Sequence, residues 1–192
     1  MTRILPPVPL SDWRSRQHRA AALSFAAKLA QPGVWVEAGV ADGWSARYLL
    51  SLADASVRLH AFDSFDGIPE AWNGHEAGTF AQQSIPVFTD PRITVHVGAF
   101  KDTMPAFARA LREPIALLSV DCDVYASART VLDTLGPRLV PGSVVVFDEA
   151  LGSIDALDHE YRALTAWQRT SKRDLVEVAR TNYTQLVMRV ER

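Results

Sequence analysis

Residues 34–45, which read Val-Trp-Val-Glu-Ala-Gly-Val-Ala-Asp-Gly-Trp-Ser, decide the fold class of this chain. A short apolar run ends in Glu37, and Gly39 and Gly43 follow it before a stretch with helical spacing begins at Trp44. An apolar strand, a glycine-containing turn and a helix in this order are typical of the first unit of a doubly wound α/β sheet. Ligands of such sheets bind beyond the carboxyl ends of the parallel strands.

The same alternation of strands and helices continues along the chain. Apolar runs predict further strands at about 57–63, 93–97, 115–120 and 142–147, and helical spacing predicts helices at about 12–31, 44–52, 105–112, 125–135 and 154–164. Strands separated by helices of about ten to fifteen residues indicate right-handed crossovers and a parallel sheet covered on both faces.

Two late strands, at about 174–179 and 184–190, flank a Thr-Asn turn and predict an antiparallel hairpin at the edge of this sheet. We therefore expect a single-domain α/β protein with a doubly wound, Rossmann-like sheet. Residues 1–32 form an N-terminal arm and helix in this interpretation, and residues 33–192 form the core.

Composition excludes several functional classes. A length of 192 residues, 48% of them hydrophobic, suits one domain with a sizeable core. A net charge of −2 without a basic cluster argues against nucleic acid as a partner. Cys122 is the one cysteine, which excludes an intrachain disulfide framework and a cysteine-based zinc site. Prolines interrupt the N-terminus and no window reaches the ~20 apolar residues of a membrane span, so we expect a soluble, cytoplasmic protein.

Acidic residues follow four of the five predicted parallel strands. They are Glu37, Asp63, Asp121 and the pair at 148–149, whereas the strand at 93–97 runs into Gly-Ala-Phe100. A single carboxylate at a strand end is commonly a helix cap or a turn former. Carboxylates at four strand ends along one edge repel each other unless a cation or several hydrogen-bond donors neutralise them.

The first turn does not match the dinucleotide fingerprint G-x-G-x-x-G, because Ala41 and Asp42 stand where a pyrophosphate loop favours glycine or no charge. The negative charge of Asp42 suits a cationic ligand instead. Asp63 ends the second strand, where an acid accepts hydrogen bonds from a ribose diol. Nicotinamide and adenosyl ligands share that diol, so these residues alone leave both ligands open.

Five linked motifs carry a family resemblance. Residues 36–45 resemble the S-adenosylmethionine loop of class I methyltransferases, and together with residues 62–69, 98–105, 119–125 and 141–149 they resemble the macrocin O-methyltransferase family. The motifs occur in order and at matching spacing over about residues 33–150. The resemblance implies a divalent-metal-dependent enzyme that methylates sugar hydroxyls of glycosylated natural products.

The resemblance also implies the residues of the site. S-adenosylmethionine is expected to contact Glu37, Gly39, Gly43, Ser45, Asp63, Ser64, Phe100 and Asp121. The metal ligands are expected to be Asp121, Asp148 and Glu149, although the family more often has aspartate at the position of Glu149. Because all three ligands are oxygen donors, Mg²⁺ is the expected ion.

The expected chemistry is deprotonation of a hydroxyl beside an already activated methyl group. A metal ion would lower the pKa of the hydroxyl and orient it. Asp121 is one candidate catalytic residue, and His75, in the long loop at 68–88, is a candidate general base. Asp123 is left out of the metal set because it can cap the helix at 125–135.

Other residues receive structural predictions. His60 and His96 alternate with apolar residues and are expected to face outward from the sheet, His18 and His159 are expected on helix surfaces, and Trp35, Phe62 and Phe147 are expected in the core. The resemblance, together with Trp13 and the alanine-rich face of the first helix, leads us to expect a homodimer that takes a small-molecule or glycan acceptor.

Three alternatives stay open. The nearest is a metal-independent small-molecule methyltransferase, which the effect of EDTA on turnover would separate. A nicotinamide-dependent oxidoreductase would also use Asp63 and the glycine turn, but it has no use for Asp121, Asp148 and Glu149, and the chain lacks a Tyr-x-x-x-Lys pair. A non-catalytic adenosyl-binding module is the third; the expected metal ligands argue against it, but the departure at Glu149 keeps it open.

Overall fold

A computed structural model of the chain describes residues 16–152, 157–171 and 173–192, in which one seven-stranded sheet lies between two layers of helices. The strands are β1 (Val34–Ala38), β2 (Arg58–Asp63), β3 (Ile93–Val97), β4 (Ile115–Val120), β5 (Leu139–Phe147), β6 (Leu175–Arg180) and β7 (Leu186–Val190). The helices are α1 (Arg16–Leu29), α2 (Trp44–Leu52), α3 (Phe100–Ala110), α4 (Tyr125–Leu135) and α5 (Glu160–Ser171), with a 3₁₀ turn at Gly136–Arg138.

The strand order is β3-β2-β1-β4-β5-β7-β6. The first five strands in this order, β3, β2, β1, β4 and β5, pair in parallel. Strand β7 pairs antiparallel with both β5 and β6. The predicted fold class is therefore confirmed, including the antiparallel hairpin. The chain order reverses between β1 and β4, which is the position where doubly wound sheets bind ligands.

The predicted neighbourhood of the fourth and fifth strands is also confirmed. Val120 lies opposite Phe147, and the Asp148 N–H donates to the Val120 carbonyl at 3.0 Å. Since Asp121 and Asp148 directly follow these paired residues, both leave the sheet at the same edge.

Each face of the sheet has its own core. Helices α1 and α2 cover one face, where Leu23 and Ala26 pack with Val144 and Val187. Helices α3, α4 and α5 cover the other, and every residue of β4 is buried between the two layers. Trp35, Phe62 and Phe147 are buried as predicted. In the described ranges no helix has both the length and the apolar character needed to cross a bilayer.

Two helix boundaries differ from the prediction. Helix α3 begins at Phe100 rather than at Pro105, because the Ala99 carbonyl already accepts the N–H groups of Asp102 and Thr103 and the proline lies inside the helix. Helix α5 begins at Glu160, Leu157 is exposed, and Ile154 lies outside the described residues, as do residues 12–15 of the first predicted helix.

The expectation that His60 and His96 face outward is wrong. Both lie half-buried on the face that α3 covers, where His60 Nδ1 is 3.0 Å from His96 Nε2 and the His96 ring stacks on Phe62 at 4.2 Å. Phe107 of α3 lies 4.6 Å from the His60 ring. Burial lowers the pKa of His60 to about 4, and it also lowers the pKa of His96.

The surface position expected for His18 is wrong as well. Its ring is buried and lies edge-on against Tyr183 at 4.2 Å, because α1 crosses the sheet next to the β6–β7 turn. His159 is half-buried, and its Nδ1 accepts the Tyr125 N–H at 3.2 Å. These histidines occupy positions whose local sequence pattern is typical of a surface, but a neighbouring helix, strand or turn covers each of them.

Acidification is expected to destabilise the fold through His60. The pKa of its imidazole falls from the ordinary 6.5 to about 4 on folding, so the unfolded chain takes up the proton first. Stability is therefore lost as the pH falls from about 6.5 to 4, by on the order of 1 kcal/mol for this partly solvated ring. Urea unfolding at pH 7 and pH 5 measures the effect. A His60→Gln variant should lose less between the two pH values, whereas His75→Gln should follow the wild type; equal losses in all three would contradict the assignment.

Candidate active site

A cavity of about 670 Å³ opens at the carboxyl ends of β1, β2, β4 and β5. This volume suits an organic ligand of cofactor size. Among the sequence-predicted residues, its lining includes Gly39, Ser45, Asp63, Ser64, Phe100, Asp121, Asp148 and Glu149. Glu37 and Gly43 lie behind this surface, and His75 lies outside it. The topology therefore brings together most residues of the predicted site.

Gly39 allows the ends of β1 and β4 to pass in contact. Its φ is +90°, and a Cβ on it would lie 1.6 Å from the Asp121 carbonyl oxygen. The Gly39 N–H donates to Phe62, and the Asp121 N–H donates to Ala38, both at 2.9 Å. Only glycine fits here, so this backbone contact fixes where Asp121 leaves the sheet.

Asp63 holds the turn that follows β1. Its Oδ2 accepts the N–H groups of Val40 at 2.7 Å and Ala41 at 2.8 Å, and its Oδ1 accepts the Phe65 N–H at 2.7 Å. Two carboxylate oxygens have about four acceptor positions, so one remains for a ligand hydroxyl. The structure thus adds a loop-positioning role, and the predicted contact with ribose stays a prediction.

Arg19 of α1 lies among three carboxylates, Glu37, Asp121 and Asp148, which we call the acidic rim. Its guanidinium forms an ion pair with Asp121, its Nη2 donates to Glu37 Oε1 at 3.2 Å, and its Nε lies 3.7 Å from Asp148 Oδ1. The Arg19 side chain is 18% exposed, and that of Glu37 is fully buried. An arginine therefore supplies the positive charge that the clustered acids require.

Burial makes two carboxylates of the rim, Glu37 and Asp121, harder to ionise. It raises the pKa of Glu37 to about 7 and raises the pKa of Asp121 well above its usual range, while the positive charge of Arg19 opposes both shifts. The charge state of the rim consequently depends on the position of this one guanidinium.

Glu160, which the sequence analysis missed, ties the ends of β4 and β5 together. The side chain is buried at the start of α5, and its Oε1 accepts the N–H groups of Cys122 at 3.1 Å and Asp123 at 3.3 Å. Its Oε2 accepts the Glu149 N–H at 3.0 Å, and burial raises its pKa to about 8. An acid in the first turn of a helix usually signals only a favourable helix dipole, so the sequence carried no stronger signal.

Gln185 is a second residue that the sequence analysis missed. It is buried next to β7, and its Nε2 donates to Asp148 Oδ1 at 3.2 Å. The Asp148 carboxylate is thereby held between Gln185 and Arg19. A glutamine after a turn carries no pattern that would predict this contact.

Two residues have different positions from those expected. Asp123 lines the cavity and does not cap α4, since the N-cap residue is Val124 without a side-chain cap, and His159 accepts the first N–H. His75 pairs with Trp72 through backbone hydrogen bonds of 2.7 and 2.8 Å, and its ring stacks on Trp72 rather than facing the cavity. Its position therefore does not support the proposed role as general base.

The described ranges hold no group of three or more His, Cys, Asp or Glu side chains arranged to bind a metal. Asp121, Asp148 and Glu149 have the hard oxygen donors that Mg²⁺ prefers. Their arrangement nevertheless does not fit the ion, because the Arg19 guanidinium lies against Asp121 and Asp148.

Comparison with known proteins adds independent information. Residues 36–150 match the family described as a methyltransferase domain. A curated Streptomyces olivaceus protein, 8-demethyl-8-(2,3-dimethoxy-alpha-L-rhamnosyl)-tetracenomycin-C 4'-O-methyltransferase, is 30% identical over 155 residues. That alignment covers 68% of this chain and 58% of the relative, so the chain spans less than two thirds of the protein it matches.

Two solved structures share the fold. The calicheamicin methyltransferase CalS11 has a TM-score of 0.71 at 21% identity, with 96% of this chain and 86% of that chain covered. The O-methyltransferase NovP has a TM-score of 0.70 at 20% identity, with 91% and 80% covered. At these identities the likeness concerns the fold alone.

An Asp63→Asn variant is expected to be less stable by about 1–3 kcal/mol, the cost of leaving a partly buried donor unpaired. The amide has one oxygen, so it cannot accept the N–H groups on both sides of the native carboxylate. Urea unfolding measures the loss. The exposed neighbour Asp66 provides the matched control, because Asp66→Asn should stay within ~0.5 kcal/mol of the wild type. Equal stability of the two variants would show that the Asp63 hydrogen bonds contribute little.

Proposed function

The chain belongs to the methyltransferase-domain family, which confirms the resemblance predicted from its motifs, and we propose that it transfers the methyl group of S-adenosylmethionine to an oxygen atom. The observation that carries this proposal is the cavity at the β1–β4 switch point, where the glycine turn meets the acidic rim. The donor carries a sulfonium cation, which an acidic rim attracts.

The residues of the cavity suggest how the donor is held. We assign the methionine moiety to Gly39 and Ser45, and the ribose to Asp63 and Ser64. We assign the adenosyl group to Phe100, which lines the cavity at the first turn of α3. Glu37 and Gly43 support the turn from behind, since neither lines the cavity.

The proposed acceptor is a sugar hydroxyl of a glycoside. This assignment is supported by the tetracenomycin relative, whose name specifies methylation at a 4'-oxygen of a rhamnosyl compound. The wall contributed by the loop after β2 includes Ile68, Trp72 and Phe80, and aromatic faces of this kind suit the apolar face of a sugar ring.

Methyl transfer requires an oxygen aligned with the methyl group and an acceptor for its proton. We propose Asp121 as the general base, because it lines the cavity beside the glycine turn while His75 does not. Asp148 and Glu149 also line the cavity, and we propose that they accept hydrogen bonds from the sugar. Every one of these groups leaves the sheet at a position fixed by β4 or β5.

The Mg²⁺ expected from the sequence has no part in the proposed reaction. Its oxygen ligands are present, but the guanidinium against Asp121 and Asp148 is incompatible with the ion in this arrangement. We therefore derive the proposed reaction from the residues of the chain alone.

Donor binding is the first test of this proposal. S-adenosylhomocysteine should raise the melting temperature, whereas NAD should not, because Ala41 and Asp42 disfavour a pyrophosphate. Transfer of labelled methyl groups to a panel of rhamnosides then tests the reaction. Stabilisation by NAD alone would indicate a nicotinamide-dependent oxidoreductase instead.

An Asp121→Asn variant should keep S-adenosylhomocysteine binding within a few fold and lose turnover by about 10²–10⁴-fold, the usual contribution of a general base. The amide preserves the shape of the side chain but accepts no proton. Asp133→Asn is the control, since Asp133 lies on the surface of α4 in an ion pair with Arg129. Full turnover of Asp121→Asn would remove Asp121 from the reaction.

We also propose a homodimer of this single-domain chain that works in the cytoplasm, with the segment before residue 33 serving the same active site. The contribution of α1 to the acidic rim supports the last part. Trp13, on which the dimer prediction partly rests, lies outside the described residues. Light scattering at micromolar concentration should give twice the monomer mass of 21.2 kDa, and a value of 21.2 kDa would contradict the dimer.

A further inference from the structure

We propose that Arg19 takes the place of a divalent cation in this chain, so that its guanidinium and a metal ion exclude each other at the acidic rim. The inference rests on the proposed function only in so far as the excluded metal ion would otherwise take part in methyl transfer. The exclusion itself concerns the folded protein without donor or acceptor, and it can be tested in that form.

Arg19 occupies the space between carboxylates where a metal ion would lie. One guanidinium reaches carboxylates at or next to the ends of three adjacent strands, Glu37 from β1, Asp121 from β4 and Asp148 from β5. A bound Mg²⁺ needs carboxylate oxygens at about 2.0–2.1 Å in an octahedral arrangement. Asp121 Oδ2 is already in an ion pair with Arg19 Nη1, so the guanidinium occupies space beside the carboxylate that a metal ion would need.

The packing of α1 against the sheet holds Arg19 in this position. Ala22, Leu23 and Ala26 are fully buried against the sheet, which anchors this side of the helix. Arg19 precedes Ala22 by three residues and Leu23 by four, so all three share one helix face. The guanidinium is therefore positioned by a packed helix, unlike an exposed arginine that pairs only transiently.

The carboxylates of the acidic rim need a positive charge beside them. Glu37 is fully buried, and Asp121 and Asp148 are 18% and 14% exposed. Removing Arg19 would leave these carboxylates without their arginine partner, and unpaired buried carboxylates are costly. A cation from solution would relieve that cost, so loss of the guanidinium should create affinity for a divalent ion.

The test is a titration of the full chain with MgCl₂ in the absence of donor and acceptor, against KCl of equal ionic strength. Melting temperature and calorimetric binding are measured for the wild type, Arg19→Gln, Arg19→Lys and Lys28→Gln. Lys28 is the matched control, because it is an exposed cation on the same helix and its variant makes the same charge change.

We expect Arg19→Gln to bind Mg²⁺ at least tenfold more tightly than the wild type, with a melting temperature that rises with the logarithm of the Mg²⁺ concentration. The wild type, Lys28→Gln and Arg19→Lys should respond to MgCl₂ as they do to KCl. Lysine keeps a positive charge at the rim and should exclude the ion.

A magnesium-specific stabilisation of the wild type equal to that of Arg19→Gln would overturn the proposal, and so would Arg19→Gln without any magnesium response. If Arg19→Gln does not fold, the wild type and Arg19→Lys decide, since magnesium binding by either one refutes the exclusion and its absence in both supports it. Failure of the proposed methyl transfer would appear separately, as lack of S-adenosylhomocysteine binding in every variant.

Discussion

Neutralisation of carboxylates at the ends of parallel strands is the constraint on which this structure depends. A doubly wound sheet directs the ends of β1, β2, β4 and β5 to one edge, and this chain has an acid at or next to each end. Buried like charges at such an edge oppose folding unless each one has a partner. Several of the surrounding elements contribute a group that forms a hydrogen bond or an ion pair with one of these carboxylates.

The partners are of three kinds. A guanidinium from α1 meets Glu37 and Asp121, and a side-chain amide from Gln185 meets Asp148. Backbone N–H groups complete the set, because Asp63 accepts three of them and the buried Glu160 accepts three more. Asp63 and Glu160 thus hold backbone segments in place, and Asp63 does so while also lining the cavity.

The sequence predicts the parts of the molecule that depend on short-range patterns. The continuous apolar run of β4 and the glycine at 39 each have a local physical reason, burial on both faces and a contact that excludes a Cβ. Arg19 could not be found this way, because it lies 102 positions before Asp121 and occupies an ordinary place in an amphipathic helix. The positions of His60 and His96 were wrongly predicted for the same reason. Their alternation with apolar residues is usual for a solvent-facing side of a strand, but α3 covers that side here.

The segment that matches the methyltransferase-domain family lacks two side chains that contact its acids. Residues 36–150 contain Glu37, Asp121 and Asp148, whereas Arg19 and Gln185, whose side chains contact these carboxylates, lie outside that segment. Residues 36–150 of this chain are therefore not electrostatically self-sufficient, because on their own their acids would lack the side chains that contact them. Elements near the two termini of the chain are what make the central segment of this protein electrostatically complete.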